Sequence, residues 1–226
     1  MKKNKLNFKR DFPRLISRLE NMIILGAFLP KERLVEADLA QKMEVSRAWI
    51  RDALKNLETK GLVRMTPYRG AIVTDLTEKE VKELFQVRLV LERLANRLAC
   101  DNIQQSDSKS LRKIADRIKE SYKKNDFNEM LNANIQFHSY ITELSKNNTL
   151  IQMIAQLRIR FHIFNTFAWS IPEIVERILK EHELFITGLE KKNEELLDDL
   201  AEKHFSHSKN LYLRQLKAKN LSWIKE

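Results

Sequence analysis

Glycine is scarce and unevenly placed in this chain, and its distribution limits the folds open to it. Three of the four glycines, Gly26, Gly61 and Gly70, lie in the first third, so only Gly188 interrupts the remainder. Runs of β-branched residues are also few there, which argues against strands. The pattern predicts long helices joined by short breaks. With 226 residues and 43% hydrophobic content, the chain can fill the cores of two ordinary domains.

The helices expected after the first third can be placed from breaks in the apolar periodicity. Thr77 followed three residues later by Glu80 has the spacing of a capping box, which marks a helix start. The chain then breaks at polar positions such as Asn125 and Asn193. Helices are predicted at 78–101, 107–124, 126–145, 149–168, 172–190 and 193–218.

The first third has the residue order of a helix-turn-helix. A first helix is predicted at 12–25 before Gly26, a short amphipathic helical segment at 33–43, and another helix beginning after Ser46, a good N-cap residue. Gly61 suits the end of that helix. In between, Ile50, Ala53, Leu54 and Leu57 recur at helical spacing. The opposite face carries cations: Arg47, Arg51 and Lys55.

Residues 63–73 follow this helix as two short β-like runs, and the order of elements predicts a winged helix-turn-helix that reads DNA in the major groove. Ser46, Arg47, Trp49, Arg51 and Lys55 are the candidate contacts on the helix. Arg69 at the hairpin tip is expected to enter the minor groove, with Gly70 allowing close backbone approach.

Charge is concentrated in the same segment. Residues 1–74 carry 16 lysines and arginines against 8 acidic residues, whereas residues 75–226 carry 25 against 23. Binding to phosphate depends on such cations, so the imbalance favours a DNA-binding function for the first domain. The fold expected is mainly α: a winged helix-turn-helix with a small β-hairpin wing at 1–76, then an all-α antiparallel helical bundle at 77–226.

These residues resemble the GntR family of transcriptional regulators. The matching positions are Leu34, Glu36, Leu39, Ala40, Val45, Ser46, Arg47, Ile50, Arg51, Asp52, Ala53, Leu54, Gly61, Leu62, Val63, Arg69, Gly70 and Ala71. Two departures stand out. Lys31 replaces the glycine that usually follows the proline, and Ala48 with Trp49 replaces the usual Thr-Pro, so the family's base preferences do not carry over.

Three histidines on three predicted helices, His138, His182 and His204, are compatible either with a metal site or with separate buried imidazoles satisfied by hydrogen bonds. The domain that holds them resembles the FCD type of effector domain, through Arg88 to Glu92, Asn134 to His138, Asn148 with Leu150, and Glu181 with His182. That resemblance implies a divalent metal ion, zinc or nickel, held by Asn134 and the three histidines.

Arg88 has two interpretations, since it can bind the carboxylate of an effector or form a salt bridge with Glu92 one turn away. The resemblance implies a homodimer that binds an inverted-repeat DNA operator, with operator affinity controlled by a small carboxylate effector. A metal-free pocket that binds an organic or fatty acid directly is the alternative.

An enzyme is disfavoured, because no H-E-x-x-H motif, phosphate loop or nucleophile elbow accompanies the histidines. A metal-dependent hydrolase is therefore the weaker alternative. The single Cys100 excludes an intrachain disulfide. No apolar run of signal or membrane length is present, and the expected location is the cytoplasm without a membrane partner.

Overall fold

The structure is a computed structural model that describes residues 11–66, 70–165 and 171–222, apart from the side chains of 159, 161–165, 215 and 217–222. The chain divides into two compact units between Asp75 and Leu76, and residues Ile159–Ile163 are grouped with the first unit. The expectation of a mainly α chain with one small sheet is confirmed.

Within residues 11–66 and 70–75, the first unit contains three helices and a three-stranded antiparallel sheet. Its elements in chain order are α1 (Phe12–Ile24), β1 (Arg33–Leu34), α2 (Glu36–Met43), α3 (Arg47–Thr59), β2 (Val63–Thr66) and β3 (Gly70–Val73). The Asp11 carboxylate accepts from the Arg14 amide at 3.1 Å and so caps α1. The apolar stripes of the helices form one core that includes Leu15, Leu19, Ile23, Leu39, Met43, Ile50, Leu54 and Leu57.

The predicted helical segment at 33–43 is wrong at its start, because Arg33 and Leu34 are a strand. They pair with Ile72 and Ala71 of β3, which places β3 at the centre of the sheet order β1-β3-β2. The physical reason is that β3 would otherwise expose a row of unpaired backbone groups on the side away from β2. The helix itself begins only at Glu36.

Left-handed backbone conformations end the helices of this glycine-poor chain. Gly61, with φ 73°, follows the end of α3 as predicted. Asn125, Lys146 and Lys192 adopt φ between 51° and 55° after later helices. Lys31, the departure from the family glycine, also has a positive φ of 70°.

The second unit consists, in the described residues, of helices alone. These are α4 (Glu78–Asn102), α5 (Gln105–Lys123), α6 (Phe127–Leu144), α7 (Asn148–Asn165), α8 (Pro172–Glu190) and α9 (Glu194–Ser222). The capping box predicted at the start of α4 is present, with Thr77 and Glu80 exchanging hydrogen bonds. Helix α4 packs chiefly on α9 and α6, and α5 on α6 and α8.

The core of the second unit surrounds Phe137 on α6 and Phe185 on α8, which are both almost fully buried. Elements α6, α8 and α9 therefore bring their inward faces together around aromatic side chains. Across the part of the chain that is described, none of the helices has the length and apolar character needed to span a lipid bilayer.

Candidate metal centre and nucleic-acid interface

The three predicted histidines are brought together inside the second unit. His138 comes from α6, His182 from α8 and His204 from α9, and all are buried. One ring nitrogen from each lies within 4.8 Å of one from each of the others. Phe137, beside His138 on α6, stacks on the His182 ring at 4.2 Å between centroids. Aromatic packing thus fixes the position of the imidazoles.

The two ring nitrogens of His182 lack the partners that buried polar atoms normally have. Neither Nδ1 nor Nε2 of His182 has a hydrogen-bond partner among the described residues. His138 Nε2 and His204 Nε2 face each other at 3.1 Å. One neutral imidazole of this pair can donate and the other accept, so the unused acceptor capacity of the cluster lies on His182. Buried groups in this state require an explanation such as a bound ion.

Asn134, on the same helix as His138, carries another buried polar atom without a hydrogen-bond partner among the described residues. Its side chain is buried one turn before His138, and Oδ1 has no partner in the described part of the chain. The predicted ligand set therefore contains an unsatisfied oxygen as well as unsatisfied nitrogens. An amide oxygen and three imidazoles suit a borderline divalent ion such as zinc or nickel. The residues present fit the metal that the resemblance implies.

The electrostatic environment keeps two of the imidazoles neutral. Burial, followed by the positive potential of His204, His182, Arg158 and Arg88, lowers the pKa of His138 well below its usual value. Burial, followed by the charge of His204, lowers the pKa of His182 in the same way. Metal ligation requires the unprotonated ring nitrogen, so these environments favour binding at neutral pH.

Glu181 extends the cluster outward from His204. Its Oε2 lies 2.7 Å from His204 Nδ1, and its Oε1 lies 3.4 Å from His207 Nδ1 and 3.6 Å from Arg177 Nε. Burial opposes ionisation of Glu181, but the hydrogen bond with His204 and the positive potential of His204, His207 and Arg177 together outweigh it and lower the pKa of the carboxyl. In the sequence, Glu181 contributes to the resemblance to the FCD type through its pair with His182, but no role at the site was predicted for it. Its adjacency to His182 in the E-H pair was the available signal.

Arg88 forms a salt bridge with Glu92, which is one of the two roles predicted for it. Its Nε donates to Glu92 Oε1 at 3.2 Å, and its guanidinium lies 4.2 Å from the centre of the Phe205 ring. Burial, reinforced by the charge of Arg158, lowers the pKa of Arg88 to about 10. Glu92 is also buried, which opposes its ionisation, but the charges of Arg158 and Arg88 prevail and lower the pKa of its carboxyl.

Arg158 on α7 is a site residue that the sequence analysis missed. It binds Glu92 through two nitrogens, at 3.0 and 2.8 Å, and donates to the His138 carbonyl at 3.0 Å and the Thr142 hydroxyl at 2.7 Å. It thereby fastens α7 to α4 and to the helix that carries His138. The available signal was its spacing after Leu150 and Ile154, which places a cation on the buried stripe of α7.

Helix α3 presents most of the predicted DNA contacts. The Ser46 hydroxyl accepts from the Trp49 amide at 3.2 Å, which confirms the N-cap. Arg47, Arg51 and Lys55 are exposed. The ring of Trp49 is half-buried and packs edge-on against Phe12 of α1, with centroids 5.5 Å apart. This contact gives Trp49 a packing role in addition to any contact with DNA.

Arg51 is held by an acid that sequence reasoning did not connect with it. Arg51 Nε donates to Glu36 Oε1 at 2.9 Å and Nη2 to Glu36 Oε2 at 2.7 Å, so the pair is bidentate. The hydrogen bond from Arg51 is the main cause that lowers the pKa of Glu36. Glu36 is the first residue of α2, and its two hydrogen bonds hold the Arg51 guanidinium in one orientation.

The wing prediction named two residues, Arg69 and Gly70. Arg69 lies outside the described residues. Gly70 is described, with φ 83°, and a Cβ there would meet the Leu34 carbonyl oxygen at 2.3 Å. The requirement for glycine is therefore explained by the approach of β1 within the protein itself.

Family models and known proteins agree with this architecture. The model for bacterial regulatory proteins of the gntR family matches residues 13–73, and the FCD domain model matches residues 83–207. The HTH-type transcriptional regulator YdhC of Bacillus subtilis is 30% identical over 207 residues, covering 89% of this chain and 92% of YdhC. The gluconate operon transcriptional repressor of Bacillus licheniformis is 32% identical over 190 residues, covering 81% of this chain and 77% of that repressor.

Solved structures share the fold. Escherichia coli McbR/YncC superposes with a TM-score of 0.81 at 22% identity, covering 91% of this chain and 98% of that one. A GntR-type structure from Rhodococcus sp. RHA1 superposes with a TM-score of 0.76 at 22% identity, covering 90% of this chain and 98% of that one. The matching families consist of regulators and not enzymes, which confirms that expectation. The chain therefore belongs to the GntR family of bacterial transcriptional regulators, with an FCD domain following its DNA-binding domain.

Proposed function

We propose that this regulator binds a divalent metal ion in its FCD domain and uses it to sense a small carboxylate that changes its affinity for a DNA operator. The observation that carries the proposal is the buried histidine cluster, in which both ring nitrogens of His182 and the Oδ1 of Asn134 lack partners among the described residues. Buried nitrogen and oxygen atoms without a hydrogen-bond partner raise the free energy of the folded protein unless something binds them.

Asn134, His138, His182 and His204 are the proposed ligands, and the ion is proposed to be zinc or nickel. A bound ion would supply positive charge and a coordination position for the carboxylate. The first effector class to test is a hydroxycarboxylic acid of the sugar-acid type, because one relative is named as the repressor of a gluconate operon. Arg88 is proposed as a second contact for the effector, in exchange for its hydrogen bond to Glu92.

For the first domain we propose a boundary at residue 76 and a homodimer that places two α3 helices in successive major grooves of an inverted repeat. The proposed contacts are Ser46, Arg47, Trp49, Arg51, Lys55, Arg69 and Gly70. The exposed cations of α3 support this assignment. Such a regulator would act in the cytoplasm, where chromosomal DNA is available.

Elemental analysis of tag-free protein, purified without chelator, tests the metal proposal. We expect one ion per chain in the unaltered protein and its loss in His138→Ala. His162→Ala is the matched control, because His162 aligns with none of the proposed ligand positions, and it should retain the ion. Absence of metal from the unaltered protein, even after incubation with zinc or nickel and removal of excess ion, contradicts the proposal and favours an acid bound by the histidines directly.

A further inference from the structure

The proposed ligands of the metal are all uncharged. Three imidazoles and the amide of Asn134 carry no formal negative charge, so a divalent ion among them would keep its full charge inside a buried site. Leaving such a charge uncompensated in a protein interior is costly. An acid of the protein close to the ligands would compensate this charge while no effector is bound, although no carboxylate is among the ligands themselves.

Glu181 is the acid in that position. Its Oε2 is 2.7 Å from His204 Nδ1, and both side chains are largely buried, with 10% of Glu181 and 8% of His204 exposed. A carboxylate can only accept a hydrogen bond, so the hydrogen in this contact belongs to His204 Nδ1. The other ring nitrogen, Nε2, is then unprotonated, and its lone pair is available to a metal ion. This is the nitrogen that lies 3.1 Å from His138 Nε2.

The other contacts of Glu181 do not explain its placement as well. Arg177 and His207 approach Oε1 at 3.6 and 3.4 Å, beyond or near the limit of a good hydrogen bond. Their side chains are 37% and 41% exposed, and neither Arg177 Nε nor His207 Nδ1 forms a hydrogen bond with a described residue. The short and buried contact is the one to His204, and it points toward the cluster.

We propose that Glu181 is a positioning residue for the metal: it holds His204 with the hydrogen on Nδ1 and supplies the negative charge that the ligands lack. The inference rests on the proposed function, and it assigns to a residue outside the ligand set the charge that an aspartate at position 134 would provide. Acids that hydrogen-bond a ligating histidine typically raise metal affinity by 10- to 100-fold.

Cobalt(II) titration of the full chain, with zinc competition against a chromophoric chelator, provides the test. Glu181→Gln keeps an oxygen that can accept from Nδ1 but removes the charge, whereas Glu181→Ala removes both. We expect affinity to fall about tenfold or more in Glu181→Gln and further in Glu181→Ala. Glu183→Gln is the matched control, because it makes the same charge change on α8 at a side chain that pairs with Arg112 on the surface.

The rescue experiment separates charge from general damage. In a Glu181→Gln background, Asn134→Asp should restore much of the lost affinity, because it returns one negative charge to the site. Thermal unfolding in the presence of chelator monitors the fold of each variant. Affinity of Glu181→Gln and Glu181→Ala within twofold of the unaltered protein overturns the inference while leaving the metal proposal intact. Absence of cobalt and zinc binding by the unaltered protein overturns both.

The tautomer can be measured without metal. With ¹⁵N-labelled histidine, long-range ¹H–¹⁵N spectra of the metal-free chain should show His204 protonated at Nδ1 and unprotonated at Nε2. Glu181→Gln should retain this tautomer, and Glu181→Ala should lose the preference. A His204 ring protonated only at Nε2 in the unaltered protein contradicts the inference regardless of the titration.

Discussion

Arg158 illustrates at the residue scale how a buried charge depends on its partners. It holds Glu92 with two hydrogen bonds, while Arg88 adds one, and all three residues are at most 6% exposed. Arg158→Met should leave Glu92 with only Arg88 and should lower the free energy of unfolding by about 3–5 kcal/mol. Urea denaturation measures the change. Arg112→Met, at a surface pair, should cost no more than about 1 kcal/mol, and equal losses would contradict the argument.

Gly70 is the second residue whose identity the fold fixes. Alanine there would have to adopt φ 83° and would bring Cβ to 2.3 Å from the Leu34 carbonyl oxygen. The backbone strain alone costs roughly 1–3 kcal/mol, and separation of β1 from β3 adds to it. Denaturation of Gly70→Ala should show at least this loss. Ile72→Ala, at an exposed position of the same strand, is the control, and a Gly70→Ala protein as stable as that control would refute the steric explanation.

At this scale the sequence predicted the proposed ligands better than the residues that contact them. His138, His182 and His204 could be picked out by their resemblance to a family pattern, and the structure brings them together. Glu181, Arg158 and the Glu36–Arg51 pair were missed because their partners lie on other helices. Charge pairing between distant segments has no periodicity that a single sequence displays.

At the scale of elements, helix α3 depends on its N-cap. The Ser46 hydroxyl accepts from the Trp49 amide, and Ser46→Ala should lower stability by about 1 kcal/mol, measured by urea denaturation. Ser46→Asp retains a capping oxygen and should restore most of that loss. If Ser46→Asp is as unstable as Ser46→Ala, the cap is not the source of the effect.

The bond between Arg51 of α3 and Glu36 of α2 leads to a prediction about DNA binding. If Arg51 reads a base, Arg51→Ala should weaken binding to a duplex selected from a random pool by about 1–3 kcal/mol and relax discrimination at one position. Glu36→Gln should weaken binding less, because it frees the guanidinium without removing it. Fluorescence anisotropy at fixed salt measures both. Unchanged affinity and specificity in Arg51→Ala would remove this residue from the interface.

Helices were predictable because caps and apolar stripes are local signals. The start of α4 at its capping box and the Gly61 end of α3 match the prediction. Strand β1 was not predictable in the same way, since two residues acquire strand geometry only by pairing with β3. Sheet pairing is a tertiary property, and a short strand carries little pattern of its own.

At the scale of the whole molecule, metal binding and DNA binding should be separable. His182→Ala should leave duplex binding unchanged without effector, and it should abolish the response to metal and acid. In the unaltered protein, free metal at 100 times its Kd should raise the free energy of unfolding by about 2.7 kcal/mol, if only the folded state binds it. Calorimetry with and without chelator measures this gain. A full gain in His182→Ala would exclude that residue from the site.

Helix α9 connects two points that are far apart in sequence. It carries His204, and eight residues later it carries Tyr212, whose buried hydroxyl donates to the carbonyl of Leu76 at 3.0 Å. At 1.5 Å per residue the two positions are about 12 Å apart along one rigid rod. One uninterrupted helix therefore links the candidate metal centre at His204 to Leu76, the residue at which the second unit begins.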